Sequence, residues 1–503
     1  MTMSMSHQWF IQWSSTPSIF ADINNRYQSI NNWHNTNPLW SWDVTLRNDD
    51  VGDKNNYRLS SPVYNNNVNF YKPVKSNSNE ASRAAGLALW LAMLGSARTQ
   101  IVPADVQTPP FSTLYKWKTV DFEFPSEKHR RQAIASGKYV PENVLPLGVE
   151  VWGSRVWVTF PNWRGGVPAT LGTVPREGGQ ESPLVTPYPD WSYHAAYNDD
   201  CTGMTSVFRL KVDTCGRLWV LDSGQINSQD ELEQKCPPSV LVFDLNTDTL
   251  KRRYQIPSEY VLQDSLFSNI IIDVRATDCS DLHLYITDTW RFGLIVFRES
   301  DERFWRFSHQ LFFPDPLASN FTLHGYNYQW TDGIFGLSLS PIRDYEERVL
   351  YFHSLSSYRE FYINTKVLKD PAKVNNSSSE FHLLGESRGL LGQASGSAID
   401  KKGVMFYGLV SQDSIGCWDT SKPHTKEMLG EITKDSETLI YPNDIKVDQD
   451  EQQGLWIVSN KLPLFQARRL DYNEFNYRIL YVDTTEAVKG TICDPNIHFP
   501  YIA

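Results

Sequence analysis

The sequence predicts an all-β protein: a six-bladed β-propeller closed by an N-terminal strand. Three observations carry that expectation. They are a loose sixfold repeat, apolar/polar alternation at period two inside each unit, and an aromatic content of 13% in 503 residues. Flat rings pack well on a pleated surface, so 17 Trp, 24 Tyr and 25 Phe lean toward strands.

Along the chain, residues 113–124 (TLYKWKTVDFEF) read as a strand and 126–136 (SEKHRRQAIAS) as a helix with Ser126 as N-cap. Strand–turn–strand units follow at 148–161, 207–224, 270–289, 334–354, 397–410 and 444–460. The second strand of each carries an aromatic or indole ring, at Trp157, Trp219, Tyr285, Tyr351, Phe406 and Trp456. These lie about 50–66 residues apart, a spacing that fits four short strands per unit. Third strands are expected in PATLGTV, SVLVFDL, GLIVFRE, REFYINT, SIGCWDT and YRILYVD. Fourth strands are expected in RRYQIP, FWRFSHQLF, EFHLLGE and EMLGEI. Units of this kind wrap into a propeller. The sixth ends after its third strand, so 113–124 is expected to supply the fourth and seal the exposed sheet edge. The propeller is placed over 110–503.

Upstream, residues 1–80 are Asn-rich and polar without a lasting apolar period, and read as a disordered extension. Residues 84–97 (AAGLALWLAMLGSA) form an uncharged, Leu-rich run between Arg83 and Arg98 that ends in small residues. That is the layout of a secretory signal, placed over 81–97 with cleavage near Ala97. A buried helix and a signal anchor are the alternatives. Such a segment belongs at an N-terminus, which suggests that 1–80 is a gene-model artefact, from a wrongly joined exon or an alternative start.

A net charge of −11 argues against a nucleic-acid binder held by phosphate contacts. No apolar stretch of about 18 residues offers a stable membrane span. The six cysteines have no C-x-x-C pair and no zinc spacing, so three disulfides in an oxidising compartment are expected. Fifteen connectivities are open. Propeller geometry favours Cys215–Cys279 in first-to-second turns of adjacent blades, Cys201–Cys236 at the opposite end, and Cys417–Cys493 tying down the tail. Sequons at Asn320, Asn375 and Asn376 agree with secretion.

The stretches VFRLKVDTCGRLWVLDSG, CPPSVLVFDLNTDTL, YITDTWRFGLIVF, TDGIFGLSLSP and LWIVSNKL resemble the yellow/major royal jelly protein family of insects. The likeness covers about 113–495. It implies a secreted six-bladed propeller linked to cuticle pigmentation and melanin chemistry, with biogenic amines bound by some salivary members and dopachrome converted by a few others. The resemblance also implies that amine binders use a polar residue at the Asn443-x-Ile445 position. Here Asn443 matches, and Ile445 offers an aliphatic wall in place of a ring.

Propellers bind ligands where first strands enter the top of the central tunnel and second strands leave it. The residues there that could hold an ammonium are Asn269, Asp332, Asn443, Asp444, Asp222 and Asp288, with nearby rings stacking a catechol or indole. Strand-end aspartates also cap turns, so Asp222, Asp288 and Asp444 each carry a structural reading too. Asp222-Ser223-Gly224 has no second D-[ST]-G to make an aspartic-protease dyad, and hydrolase, kinase and dinucleotide motifs are absent. Asn269, Asp332 and Asn443 could offer three oxygens to calcium; no other cofactor is expected. His353 is the candidate proton shuttle should dopachrome tautomerise.

Three functions remain open. The first is a monomeric, secreted binder of a small aromatic amine or catechol-type ligand in pigmentation. The others are a dopachrome isomerase and a structural cuticle protein without ligand. No spacing in the sequence demands catalysis, which favours the first.

Overall fold

The computed structural model describes residues 111–194, 200–275, 279–343 and 347–497. The Asn-rich extension over 1–80 and the apolar run over 81–97 lie outside them. Among the described residues no helix is long and apolar enough to cross a membrane.

Six antiparallel sheets form the blades. Blade 1 runs through Val149–Trp152, Arg155–Thr159, Leu171–Pro175 and Thr186–Pro187. Blade 2 comprises Val207–Val212, Arg217–Asp222, Ser239–Asp244 and Thr249–Gln255. Blade 3 comprises Phe267–Val274, Leu282–Asp288, Gly293–Arg298 and Arg303–Ser308. Blade 4 uses Ile334–Leu339, Val349–Ser354, Glu360–Asn364 and His382–Leu384. Blade 5 uses Ala394–Ile399, Val404–Leu409, Ser414–Asp419 and Leu429–Lys434. Blade 6 takes Pro442–Val447, Gly454–Ser459 and Tyr477–Asp483 from the C-terminal end. Its fourth strand is Ser112–Trp117, antiparallel to Tyr477–Asp483, so the ring closes as the repeat count requires.

The closing strand is shorter than expected. It stops at Trp117, and Phe122 makes only a single bridge to Val185. A short Gln180–Glu181 strand pairs parallel to it on the outside. The helix forms over Glu127–Ala135, where the Ser126 side chain accepts the His129 N–H.

Period-two alternation on the inner strands divides core from tunnel. Leu210 and Val212 enter the core between blades 1 and 2, while Ile445 and Val447 enter the one between blades 5 and 6. The residues alternating with them, Arg209, Lys211, Asp444 and Lys446, are turned the other way, toward the tunnel. Each pair of neighbouring blades shares one apolar cluster, and the six second-strand rings are all buried in them or against them. Burial of one such ring or branched side chain stabilises by about 1.5–3 kcal/mol, so the blade interfaces hold the ring together. Ile445 therefore packs with Phe406 and Leu455 and walls no pocket.

Disulfides join Cys201–Cys236, Cys215–Cys279 and Cys417–Cys493. The second bridges the lower turns of blades 2 and 3, and the third ties the C-terminal segment to blade 5.

Candidate functional site at the upper mouth of the tunnel

In blades 2 to 6 the first strand is irregular at its start. The register slips between Val207 and Arg209, Phe267 and Asn269, Ile334 and Gly336, Ala394 and Ser397, and Pro442 and Asp444. A bulge leaves one residue unpaired and re-aims its side chain. Here Phe208, Ser268, Phe335 and Asn443 lie at those slips, and all four line a cavity at the upper mouth. Trp163, Trp290, Trp330 and Tyr441 complete an aromatic wall around one carboxylate, Asp332. Trp330 follows directly on a hairpin formed by Asn320–Leu323 and Tyr326–Gln329. Phe321 and Leu323 of that hairpin are buried in the core between blades 6 and 1.

The cavity measures about 50 Å³, room for an ammonium head or a few waters. Asp332 Oδ1 accepts the Trp290 indole N–H at 3.2 Å. Burial among rings pushes the Asp332 carboxyl up to about 6, with the Trp290 bond opposing the shift. Beneath it, Asn443 Oδ1 accepts from Arg209 Nη2 at 2.7 Å, and Asn443 Nδ2 reaches Asn460 Oδ1 at 3.4 Å. The Arg209 guanidinium lies 5.6 Å from the Phe335 ring centroid, with its Nε 3.3 Å from Asp444 Oδ1.

The other candidates go elsewhere. Asp222 accepts the backbone N–H groups of Thr205, Ser206 and Gly224 at 2.7–2.9 Å. Asp288 accepts from Ser265 and Leu266 and is paired with Arg306 at 2.8 Å. Both hold loops of the upper face. Asp444 accepts the Val149 N–H at 3.0 Å inside the tunnel wall. Asn269 donates to the Phe335 carbonyl at 2.9 Å and lines the lower cavity. The three oxygens considered for calcium are thus divided between the two ends of the tunnel. Among the described residues the one group close enough for a metal is Asp213 with Cys215 and Cys279, whose sulfurs are joined to each other.

His353 is fully buried between blades 4 and 5. Its Nδ1 faces Glu360 Oε2 at 2.9 Å and its Nε2 faces the Ser395 carbonyl at 2.7 Å. Arg388 lies 2.7 Å from the same Glu360 oxygen. With both nitrogens engaged, and lining neither the upper nor the lower cavity, His353 sits as an interblade strut. The near-neutral acid of the upper mouth is Asp332. Sequence reasoning put Asp332 among the amine ligands and missed its wall of indoles. Bulges carry no composition mark, so Phe208 and Phe335 read as ordinary strand residues.

Residues 205–493 match the family described as major royal jelly protein. The chain belongs to that family. Among its relatives, the dopaminechrome tautomerase of Drosophila melanogaster is 42% identical over 390 residues, covering 76% of this chain and 84% of that protein. Protein yellow of Drosophila melanogaster is 39% identical over 383 residues, covering 76% and 70%. Virginiamycin B lyase from Staphylococcus aureus, a solved structure, aligns with a TM-score of 0.35 at 12% identity over 68% of this chain and 95% of that one; so distant a likeness carries no functional argument. The royal jelly family match covers blades 2 to 6, and the relatives at about 40% identity extend it over most of the propeller.

Proposed function

We propose that this royal jelly family protein binds a catechol-derived aromatic amine in its upper pocket and serves the melanin pathway outside the cell. The observation that carries the reading is Asp332, one carboxylate set in a wall of indole, phenyl and phenol rings. An ammonium there gains Coulomb attraction from Asp332 and cation–π attraction from the faces of the rings, and the ring of the ligand stacks on the same walls. The cavity of about 50 Å³ suits the head group, so a full catechol needs the side chains around it to move apart. Three disulfides fit an oxidising compartment, and Asn320, Asn375 and Asn376 are exposed, as glycan acceptors must be. Titration calorimetry with dopamine tests the reading. Saturable heat in the wild type that disappears in Asp332→Asn supports it, whereas no heat, or an unchanged isotherm in the variant, rejects it.

A second reading is favoured by the raised pKa of Asp332 and by the relative named for dopaminechrome tautomerisation. In such an isomerisation a carbon-bound proton leaves the bicyclic ring and a quinone oxygen gains one, with composition unchanged and no outside oxidant. A carboxyl group near pKa 6 can take the first proton and return it. Loss of dopaminechrome absorbance faster than in buffer, and abolished by Asp332→Asn, supports catalysis. Decay at the buffer rate leaves binding alone.

A further inference from the structure

The opposite end of the tunnel opens into a larger cavity, about 420 Å³, within the size range of small-molecule sites. Ile271, Ile272, Leu337, Leu339 and Ile399 give it apolar walls, and Lys211 and Lys446 sit in its lining. Lys446 is 8% exposed, and its Nζ lies 3.5 Å from Asp444 Oδ1. Among the described residues the Nζ makes no hydrogen bond, although an ammonium carries three donors. Lys211 Nζ is 3.0 Å from Glu150 Oε2. Asp444 also serves Arg209, so three cations (Arg209, Lys211 and Lys446) share two carboxylates, Glu150 and Asp444.

The other acids of the lining do not redress that surplus. Asp213 is paired with Arg217 at 2.6 Å and accepts the Trp219 indole N–H. Asp448 is paired with Arg176 at 2.9 Å and accepts the Trp456 indole N–H. Asp400 accepts the N–H groups of Lys402 and Val404 in its own turn. Arg348, also in the lining, is 3.6 Å from Asp273 and donates to the Ser340 carbonyl. Lys401 donates to the Asp450 carbonyl.

We infer that this lower cavity is a second binding site, for a small apolar monocarboxylate whose head sits between Lys446 and Lys211 and whose tail lies on the isoleucine and leucine walls. One anion neutralises the surplus and gives the Lys446 ammonium an acceptor, while the walls exclude a strongly hydrated ion such as free phosphate. Burial pulls the Lys446 pKa down, and an anion beside the ammonium opposes that shift. The site is independent of the upper pocket and of the ligand proposed there.

The test is calorimetric titration of the purified protein with octanoate, with 1-octanol (same tail, no charge) and acetate (same charge, no tail) as controls. Octanoate is expected to bind at one site, at least about tenfold more tightly than either control. Lys446→Met is expected to weaken it by a similar factor. Ala398→Phe, which fills the cavity from its lining without removing a charge, is expected to abolish it. Near-ultraviolet circular dichroism reports whether each variant is folded; should Lys446→Met fail to fold, Lys211→Gln takes its place. Asp332→Asn is expected to leave octanoate binding intact, which separates this site from the upper one. No saturable octanoate binding, octanol binding as tightly as octanoate, or full affinity in folded Ala398→Phe overturns the proposal.

Discussion

The indole N–H of Trp290 points at Asp332 across 3.2 Å, and both side chains line the upper mouth of the tunnel. That bond favours the charged carboxylate, while the surrounding rings disfavour it, and burial is the larger effect. The outcome is an acid that changes charge near pH 6 at the place where a ligand would enter.

Dopamine affinity should follow that charge. Above about pH 6 the Asp332 carboxylate attracts an ammonium, and below it the neutral acid does not. Affinity is expected to fall by about tenfold for each unit of pH beneath the midpoint, and Asp332→Asn to flatten the profile. Trp290→Phe removes the opposing hydrogen bond, so the midpoint should move upward. Calorimetric titrations across the range check both.

Stability should move in the opposite direction to binding. The folded pKa of Asp332 is raised from an ordinary 3.8, so the unfolded chain loses this proton first as pH rises. The contribution to stability is therefore intact below the unfolded value and is lost as pH climbs through about 6. At neutral pH the charged group is a net cost on the order of 3 kcal/mol. Asp332→Asn should raise Tm at neutral pH and leave it nearly unchanged in acid. Thermal melts at two pH values decide this.

How much of this was legible beforehand depends on the kind of feature. Blade number could be read because each second strand needs a buried ring, and Trp157, Trp219, Tyr285, Tyr351, Phe406 and Trp456 repeat at sheet-repeat distance. Closure by 113–124 followed from a missing fourth strand, although the strand ends at Trp117. The disulfides followed from which turns share an end of the propeller. The site was harder. Asp222, Asp288 and Asp332 all stand at the upper face, yet only the coordinates tell a carboxylate holding loop N–H groups from one facing a cavity. The tunnel also holds the cations Arg209, Lys211 and Lys446, which alternate with the core residues of Val207–Val212 and Pro442–Val447, and the acidic overall balance does not reveal them.

His353 offers a control for the catalytic reading. It is tied to Glu360 and Ser395, away from the cavity, so His353→Gln should leave the pH profile of any dopaminechrome conversion unshifted. The same change disturbs the buried contacts that His353 makes with Glu360 and the Ser395 carbonyl, and should cost about 1–3 kcal/mol in denaturant melts.

Arg209 and Asp444 are both 1% exposed, and Asp444 is shared by Arg209 and Lys446. Asp444→Ala strands two buried cations, so a loss of about 3–5 kcal/mol is expected. A urea titration of the variant measures it.

The Cys215–Cys279 bridge closes a loop between blades 2 and 3 with a sequence separation of 64. Replacing both cysteines by alanine should cost about 2–4 kcal/mol, and a reducing agent should lower the Tm of the wild type. A melt with and without reductant reads this directly.

The most direct test of the upper pocket is a crystal structure of the protein soaked with dopamine. Density is expected between Trp290, Trp330 and Phe335, with the ammonium within hydrogen-bonding distance of Asp332 and the lining side chains displaced to admit the ring. Dopamine seated in the lower cavity, or an upper pocket unchanged at saturating ligand, would contradict it.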